Sequence, residues 1–331
     1  MKKRFQFRIV TISLAFLCLL SFSSCQTEKK VTVIKLGHCL TIVHPVHKAM
    51  VFMAQQVAEK SDGKMRIDIY PAQQLGTERE MVELLQIGSL GITKVSASVI
   101  EGFVPAFKVF TIPYLFRDDI HRFKVEEGPI GRDLLVRGEK YWLRGLCYYD
   151  AGSRSFYTKD KPILTPDDLK GIKIRTMEST TAIKMIQVMG GSATPIAWGE
   201  LYTSLQQGIV DGAENNPPSF QLSKHYEVCK YYSIDEHTSV PDVLLISTVV
   251  WNKLTPEEQK ILQEAADASA KLQKELWKVA TQEALAEVEK AGVKISYPDK
   301  KAFVKIVQPI YDEYAAQPEL GEIMRAIQEV E

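Results

Sequence analysis

Two arginines have the residue type and the position that carboxylate binding requires. In residues 171–176, isoleucines alternate with Lys173 and Arg175, which predicts a strand that ends near Arg175. Arg154 follows a predicted strand at 143–149. Strand ends in an open α/β sheet usually form the ligand edge, and a guanidinium can hold a carboxylate through two parallel hydrogen bonds. Both arginines are therefore candidate anion-binding residues; the alternative is that each is a surface charge.

The segment 189–220 contains the densest group of further candidates. Trp198 lies between Pro195 and Gly199, ahead of residues 200–207, which predict a short helix. Asn215 and Asn216 precede two prolines, where we expect no helix, so their amides are free to bind something other than the backbone. The segment therefore offers an aromatic face and two amides to a ligand.

The run Asp235, Glu236 and His237 places a histidine beside two carboxylates. It predicts a cluster of charges at a hinge or at the rim of a cleft. The alternative is a metal ligand, since imidazole and carboxylate both bind divalent ions. We predict no metal site and no cofactor.

The cysteines point to no metal or redox chemistry. Cys39, Cys147 and Cys229 fit neither a zinc-binding spacing nor a CxxC pair. We expect three buried thiols that pack as small apolar residues. The alternative is one disulfide and a free thiol.

The elements that must position these residues alternate between strands and helices. Residues 64–70 alternate in polarity as a strand with one exposed face does. Capping-box spacing starts at Thr77, Thr165 and Thr255, and predicts a helix that ends near Gly88, a short turn, and a long helix to about residue 291. This order predicts an α/β protein with largely parallel sheets, in two units separated by a cleft, with the long helix across both.

Residues 1–24 have the pattern of a secretory signal peptide. Four basic residues precede an apolar run at 9–22, which is too short for a stable membrane anchor. The run ends in Phe22-Ser23-Ser24-Cys25, which is similar to a bacterial lipobox. We expect lipidation at Cys25, a lipid-anchored tether at 25–30 and a periplasmic location; the alternative is secretion without a lipid.

Charge and length exclude some classes of protein. The 331 residues contain 41 Lys and Arg and 41 Asp and Glu, a formal net charge of +0. The predicted leader holds four of the basic residues and no acid, so the remainder has 37 basic and 41 acidic residues, a formal charge of −4. Nothing here indicates a nucleic-acid partner, and the length allows about two domains.

Several motifs occur in an order and spacing that resemble a known family. They are PAQQLGTEREMVELLQIGSLG, FTIPYLFRD, TPDDLKGIKIRT, WGELYTSLQQGIVDGAENN and LTPEEQ. Through them, nearly all of the chain after the leader resembles the DctP-type solute-binding proteins of tripartite ATP-independent periplasmic (TRAP) transporters. The resemblance implies a two-lobed periplasmic-binding-protein-like fold that closes around an organic acid and passes it to membrane permease subunits. We expect lobe I at 31–151 plus 240–279 and lobe II at 152–239 plus 280–331.

The resemblance also implies roles for individual residues. Arg175 matches the arginine that salt-bridges the ligand carboxylate, and Arg154 is similar to a second, less uniform ligand arginine. Asn215 falls at a ligand-contacting amide and Trp198 at an aromatic that packs on the ligand. Glu78 matches a residue that faces the cleft from the first lobe.

Three polar residues could bind hydroxyl groups of a ligand in addition to Glu78. They are His38, His44 and Lys94. Each has an alternative: His44 precedes a proline and could cap a helix, His38 could be a satisfied buried histidine, and Lys94 could extend from a strand edge. Trp198 offers the flat face on which sugar rings pack.

A polar cleft of this kind favours a sugar acid. The variants AENNPP and DEHTSVPD are similar to the uronate-binding branch of the family, and this resemblance implies a hexuronate such as glucuronate or galacturonate. The alternatives are a C4-dicarboxylate or keto acid as ligand, and a sensor module that docks on a receptor. A lyase or hydrolase would need Glu78, His44 or His237 as acid and base. No motif for a nucleophile with its base is present, so we predict that the protein is not an enzyme.

Overall fold

The computed structural model describes residues 31–331. The predicted signal peptide, Cys25 and the tether at 25–30 lie outside the described residues. None of the helices within 31–331 is both long enough and apolar enough to cross a membrane.

The strands form two sheets in the described part of the chain. They are β1 (Thr32–Gly37), β2 (Met65–Tyr70), β3 (Ile92–Ser96), β4 (Leu143–Tyr149), β5 (Arg154–Thr158), β6 (Lys173–Thr176), β7 (Ser192–Pro195), β8 (Gly212–Asn215), β9 (Tyr231–Thr238), β10 (Asp242–Ser247) and β11 (Lys294–Ser296). The order is β2-β1-β3-β10-β4 in the first sheet and β11-β9-β5-β8-β6-β7 in the second.

The expectation of largely parallel sheets is wrong, because both sheets are mixed. β1 with β3, β6 with β7, β6 with β8, and β9 with β11 are parallel. β10 runs antiparallel to β3 and β4, and β5 runs antiparallel to β8 and β9. The antiparallel strands occur where the chain passes directly from one sheet to the other, from β4 to β5 and from β9 to β10, without a crossover helix. Parallel neighbours need a crossover connection, which these direct passages do not supply.

Helices surround both sheets. They are α1 (Pro45–Lys60), α2 (Glu78–Gln86), α3 (Ala97–Ile100), α4 (Asp119–Glu127), α5 (Pro129–Arg137), α6 (Thr180–Val188), α7 (Leu201–Gln206), α8 (Pro217–Leu222), α9 (Thr248–Trp251), α10 (Pro256–Lys290), α11 (Lys300–Ile306), α12 (Gln308–Ala315) and α13 (Pro318–Glu329). Short 3₁₀ turns occur at Pro105–Thr111, Glu139–Tyr141, Pro166–Leu169, Trp198–Glu200 and His225–Glu227.

The three predicted capping boxes are confirmed. In each, the threonine side chain accepts from a backbone N–H three residues on and the acidic side chain at that position accepts in return, at Thr77, Thr165 and Thr255. The helix that begins after Thr77, α2, is followed by Gly88 in a left-handed conformation, with φ of 74°, as the predicted stop requires. Local hydrogen bonding thus defines these helix starts.

The long helix α10 packs on helices that follow strands of different sheets. It packs on α1, which follows β1, and on α8, which follows β8. By their internal contacts Val33–Glu331 form a single compact unit. The strands of the first sheet lie within 31–151 and 240–279, but α13 contacts α5 and the turn Pro105–Thr111, so the division into lobes stays a prediction.

The cysteine prediction is confirmed for the described residues. Cys39, Cys147 and Cys229 are free and buried. Burial raises the pKa of the Cys39 thiol to about 12, since the charged form loses solvation.

Candidate functional site

A cavity lies where the ends of strands from both sheets face each other. Its volume, counted with the open solvent at its mouth, is about 750 Å³. The strand residues that line it are Lys94, Ser96, Asp242, Arg154, Arg175 and Asn215. The first three belong to the first sheet and the others to the second.

Arg175 presents a buried donor to this cavity. Its Nε donates to the backbone oxygen of Ile196 at 2.8 Å, and its guanidinium carbon lies 5.9 Å from the ring centroid of Trp198. Its Nη1 is buried and has no partner among the described residues. Burial lowers the pKa of Arg175, because desolvation disfavours the charged form. A ligand carboxylate would supply both the missing hydrogen bond and a countercharge.

The strand predicted at 143–149 is β4, and Arg154 follows it as the first residue of β5. Its Nη2 donates to Glu214 Oε1 at 2.9 Å and to the Glu214 backbone oxygen at 2.7 Å, and its Nε donates to Glu214 Oε2. Its Nη1 donates to Asn215 Oδ1 at 2.8 Å. A guanidinium has five N–H donors, so one Nη1 donor is left for a ligand. Arg154 can therefore add a hydrogen bond, while its charge is already paired.

A buried row of charges continues behind Arg154. Burial opposes the charge on Glu214, but Arg154 and His237 outweigh it and lower the pKa of Glu214 to about 2. His237 lies between two carboxylates, with Nδ1 2.9 Å from Asp235 Oδ2 and Nε2 3.6 Å from Glu214 Oε2. Burial opposes its charge, yet these carboxylates raise the pKa of His237 to about 9.

This row includes Asp235 and His237 of the predicted cluster, which are not at a rim, whereas Glu236 is exposed and pairs with Lys300. Asp235 and His237 are both 0% exposed. No group of three metal-binding side chains occurs within residues 31–331. The row therefore acts as a buried ion-pair network next to the cavity.

The opposite wall of the cavity holds Lys94 between two carboxylates. Its Nζ lies 2.9 Å from Glu78 Oε1 and 3.1 Å from Asp242 Oδ1. Burial opposes the Lys94 charge, but the two carboxylates outweigh it and raise the pKa of Lys94. The alternative of a lysine that extends from a strand edge does not fit, because Lys94 is buried in an interior strand. With two acids and one base, this wall is rich in acceptors for hydroxyl groups.

His44 caps a helix, as one of its predicted alternatives has it, and also lies in the cavity wall. Its Nδ1 accepts from the backbone N–H of Val46 at 3.3 Å and so caps α1. It also lines the cavity, where its ring centroid is 5.8 Å from that of Trp277. Burial lowers the pKa of His44, with Lys94 as the next cause.

His38 is the predicted ligand residue that the structure does not bring to the cavity wall. Its Nδ1 accepts from the backbone N–H of Leu40 at 3.1 Å, and its Nε2 lies 2.9 Å from His47 Nδ1. Burial lowers the pKa of His38 to about 3, and Lys94 and His47 add to the effect. Its environment is that of a satisfied buried histidine.

The expectation that no helix starts at Pro217 is wrong. Both prolines begin α8, and Asn216 caps it by accepting from the backbone N–H of Ser219 at 2.9 Å. Proline costs nothing there, because N–H groups of a first helical turn have no partner within the helix. Asn215 Oδ1 accepts from Arg154 and from the Asn216 backbone, so its Nδ2 is the end that can donate to a ligand.

The remaining predicted residues, Trp198 and Glu78, line the cavity. Sequence reasoning missed several other lining residues, among them Asp242 and Trp277. Asp242 begins an otherwise apolar strand, and Trp277 is an aromatic on a largely polar stretch of α10. An acid at the start of a buried strand is the signal that could have revealed Asp242.

The chain is similar to known proteins over most of its length. Residues 36–317 match the family described as bacterial extracellular solute-binding protein, family 7. A solute-binding protein of Chromohalobacter salexigens is 36% identical over 290 residues, which cover 87% of this chain and 86% of the relative.

Two solved structures are similar over most of the chain. A TRAP periplasmic solute-binding protein of Xanthobacter autotrophicus with bound β-D-galacturonate is 37% identical, with a TM-score of 0.88, and the match covers 90% of this chain and 100% of that chain. Another from Anaerococcus prevotii, with bound D-glucuronate, is 38% identical with a TM-score of 0.88, and covers 90% and 98%.

Proposed function

Since the chain belongs to family 7 of the bacterial extracellular solute-binding proteins, we propose that it captures a hexuronate, such as glucuronate or galacturonate, and delivers it to the membrane permease of a TRAP transporter. The ligand-binding residues in this proposal are Arg175, Arg154, Asn215, Trp198 and Glu78. His44 and Lys94 complete the cavity wall.

The observation that carries the proposal is the buried, unpartnered Nη1 of Arg175 in the cavity wall. Arg154 is paired with Glu214, and Lys94 with Glu78 and Asp242. Arg175 is thus the buried cavity cation that still needs a countercharge. One carboxylate meets that need, and Arg154 and Asn215 each have a donor left to support it.

The acceptor-rich wall supports a sugar acid over a C4-dicarboxylate. Glu78 and Asp242 outnumber Lys94 there, so a second ligand carboxylate would meet net negative charge. Hydroxyl groups would instead donate to those oxygens. Trp198 and Trp277 offer aromatic faces for the apolar side of a sugar ring, and the similar solved structures hold galacturonate and glucuronate.

Calorimetric titration of the purified protein with glucuronate, galacturonate, succinate and pyruvate tests this proposal. We expect binding of a uronate with higher affinity than of either small acid. Tight binding of succinate or pyruvate with no response to uronates would refute the hexuronate assignment.

Substitution of Arg175 tests the carboxylate role. Arg175→Ala should weaken uronate binding by about 3–5 kcal/mol, because the ligand carboxylate would lose its buried ion-pair partner. Arg175→Lys is the matched control: it keeps the charge but loses the planar fork, so it should retain part of the affinity. Unchanged affinity in the alanine variant would remove Arg175 from this role.

We also propose that the protein is not an enzyme. Glu78 is held by Lys94, and His237 is fully buried and does not line the cavity, so neither is free to act as an acid or base on the ligand. Recovery of an unchanged uronate after prolonged incubation, followed by NMR, is the expected result.

A periplasmic location follows from the family, and we propose that a lipid on Cys25 anchors the protein there. The support is the sequence Phe22-Ser23-Ser24-Cys25 after an apolar run. Intact mass measurement of the protein from membranes should show a diacylglyceryl cysteine at the new N-terminus, and Cys25→Ser should remove it. A mature protein that begins elsewhere without lipid would contradict the anchor.

A further inference from the structure

Among the described residues, His44 is the histidine that lines the cavity, and one of its ring nitrogens has no protein partner. Of the buried side-chain atoms that lack a partner among the described residues, two belong to residues that line the cavity: Arg175 Nη1 and His44 Nε2. Arg175 comes from the second sheet. His44 comes from the loop between β1 and α1, so the two unpartnered atoms reach the cavity from different elements.

The capping hydrogen bond decides which nitrogen of His44 carries the proton. Nδ1 accepts from the backbone N–H of Val46 at 3.3 Å, so it offers a lone pair and holds no hydrogen. A neutral imidazole has one N–H, and in His44 it must therefore be on Nε2. The hydrogen bond that caps α1 thus also fixes His44 as a hydrogen-bond donor towards the cavity.

The surroundings keep this imidazole neutral. Burial is the main reason that the pKa of His44 is lowered, and the positive charge of Lys94 is the next cause in the same direction. His44 therefore suits an uncharged acceptor rather than a second carboxylate.

We propose that His44 is a specificity-determining residue that donates from Nε2–H to a hydroxyl or ring oxygen of the bound sugar acid. This proposal rests on the proposed function, because it takes the carboxylate to be held by Arg175. Trp277 packs beside the His44 ring, with centroids 5.8 Å apart, and holds the donor at this end of the cavity. An acid without oxygens beyond its carboxylate would leave Nε2–H unpartnered on binding, which costs affinity.

His44→Asn separates the capping role from the donor role. Asparagine is among the best N-cap residues, so its Oδ1 can accept from Val46 as Nδ1 does, but its side chain ends short of the Nε2 position. His44→Ala removes both roles and is the matched comparison. We expect the Kd for glucuronate or galacturonate to rise about tenfold or more in both variants, because a ligand oxygen loses a buried donor.

Thermal unfolding without ligand distinguishes the two variants. The asparagine variant should unfold near the wild-type midpoint, and the alanine variant below it. A Kd for uronates within twofold of wild type in His44→Asn would overturn the proposal. If the wild-type protein itself binds no uronate, the proposed function has failed instead, so the two failures are distinguishable.

Imidazole ¹⁵N NMR of the wild-type protein tests the same proposal without any substitution. The His44 ring should show a protonated Nε2 and a bare Nδ1, and the Nε2 proton should shift when glucuronate is added. A ring protonated on Nδ1, or an Nε2 proton that does not respond to a bound uronate, would refute the assignment.

Discussion

Stability should fall at alkaline pH because a buried histidine must lose a proton there. His237 is 0% exposed and lies between Asp235 of its own strand and Glu214 of β8. Tyr114 donates a hydrogen bond from its hydroxyl to Asp235 at 3.3 Å, and Arg154 pairs with Glu214. The charged groups around His237 therefore balance only while its imidazole is positive.

The sign and size of the effect follow from the raised pKa of His237, about 9 against 6.5 for the unperturbed group. A base whose pKa is raised by folding contributes stability that is fully present below the unfolded pKa and is lost as pH rises through the folded pKa. The difference corresponds to about 3 kcal/mol at ~1.4 kcal/mol for each pKa unit. Glu214 acts in the opposite window, since its lowered pKa contributes stability that is lost only in strong acid.

Urea unfolding of the wild type and of His237→Gln, at about pH 6 and about pH 9.5, measures this contribution. The wild-type free energy of unfolding should fall by about 3 kcal/mol more than that of the variant, whose amide does not titrate. Other titrating groups are common to both proteins and cancel. Equal losses in the two proteins would refute the ion-pair account of His237.

Three other substitutions test particular contacts. Lys94→Met should destabilise the protein by about 3–5 kcal/mol near neutral pH, because two buried carboxylates lose their partner; urea unfolding as in wild type would contradict this. Gly152→Ala should lower stability by about 1–3 kcal/mol, because alanine is strained in the left-handed backbone conformation of this residue. The loss should be larger than in Gly171→Ala, since a Cβ at 152 would lie 3.0 Å from Trp277 Nε1 whereas one at 171 meets nothing within 4 Å. Equal thermal midpoints of the two variants would contradict the contact. Thr255→Ala should cost about 1 kcal/mol by removing the cap of the long helix, and a circular dichroism melt that matches wild type would contradict it.

The sequence predicts three capped starts correctly because their signals are local. Thr77, Thr165 and Thr255 each form the capping box that their spacing indicates, since both partners lie within four residues. Strand direction could not be predicted in the same way. Whether β10 pairs antiparallel with β3 depends on a connection between the sheets, and no local pattern near Asp242 records it.

The candidate site shows the same contrast between residue type and partner. Arg175 and Arg154 are equivalent as sequence, but Arg154 meets Glu214, 60 residues along the chain, and only the fold brings them together. His38 and His44 are likewise similar in sequence. The imidazole of His38 has a hydrogen-bond partner in His47, whereas the imidazole of His44 lines the cavity.

Pairing, rather than total charge, explains how an acidic protein can bind an anion. Without the predicted leader the chain has a formal charge of −4, and within the cavity Arg154 and Lys94 are both held by carboxylates. These pairs neutralise charge but leave directed groups at the wall: a spare donor on Arg154, and acceptor oxygens on Glu78 and Asp242. Because burial of a charge is costly without a partner, the unpaired Arg175 is the group for which a ligand carboxylate is worth most. The cavity can therefore select one carboxylate by charge, and the rest of the ligand by hydrogen-bond direction.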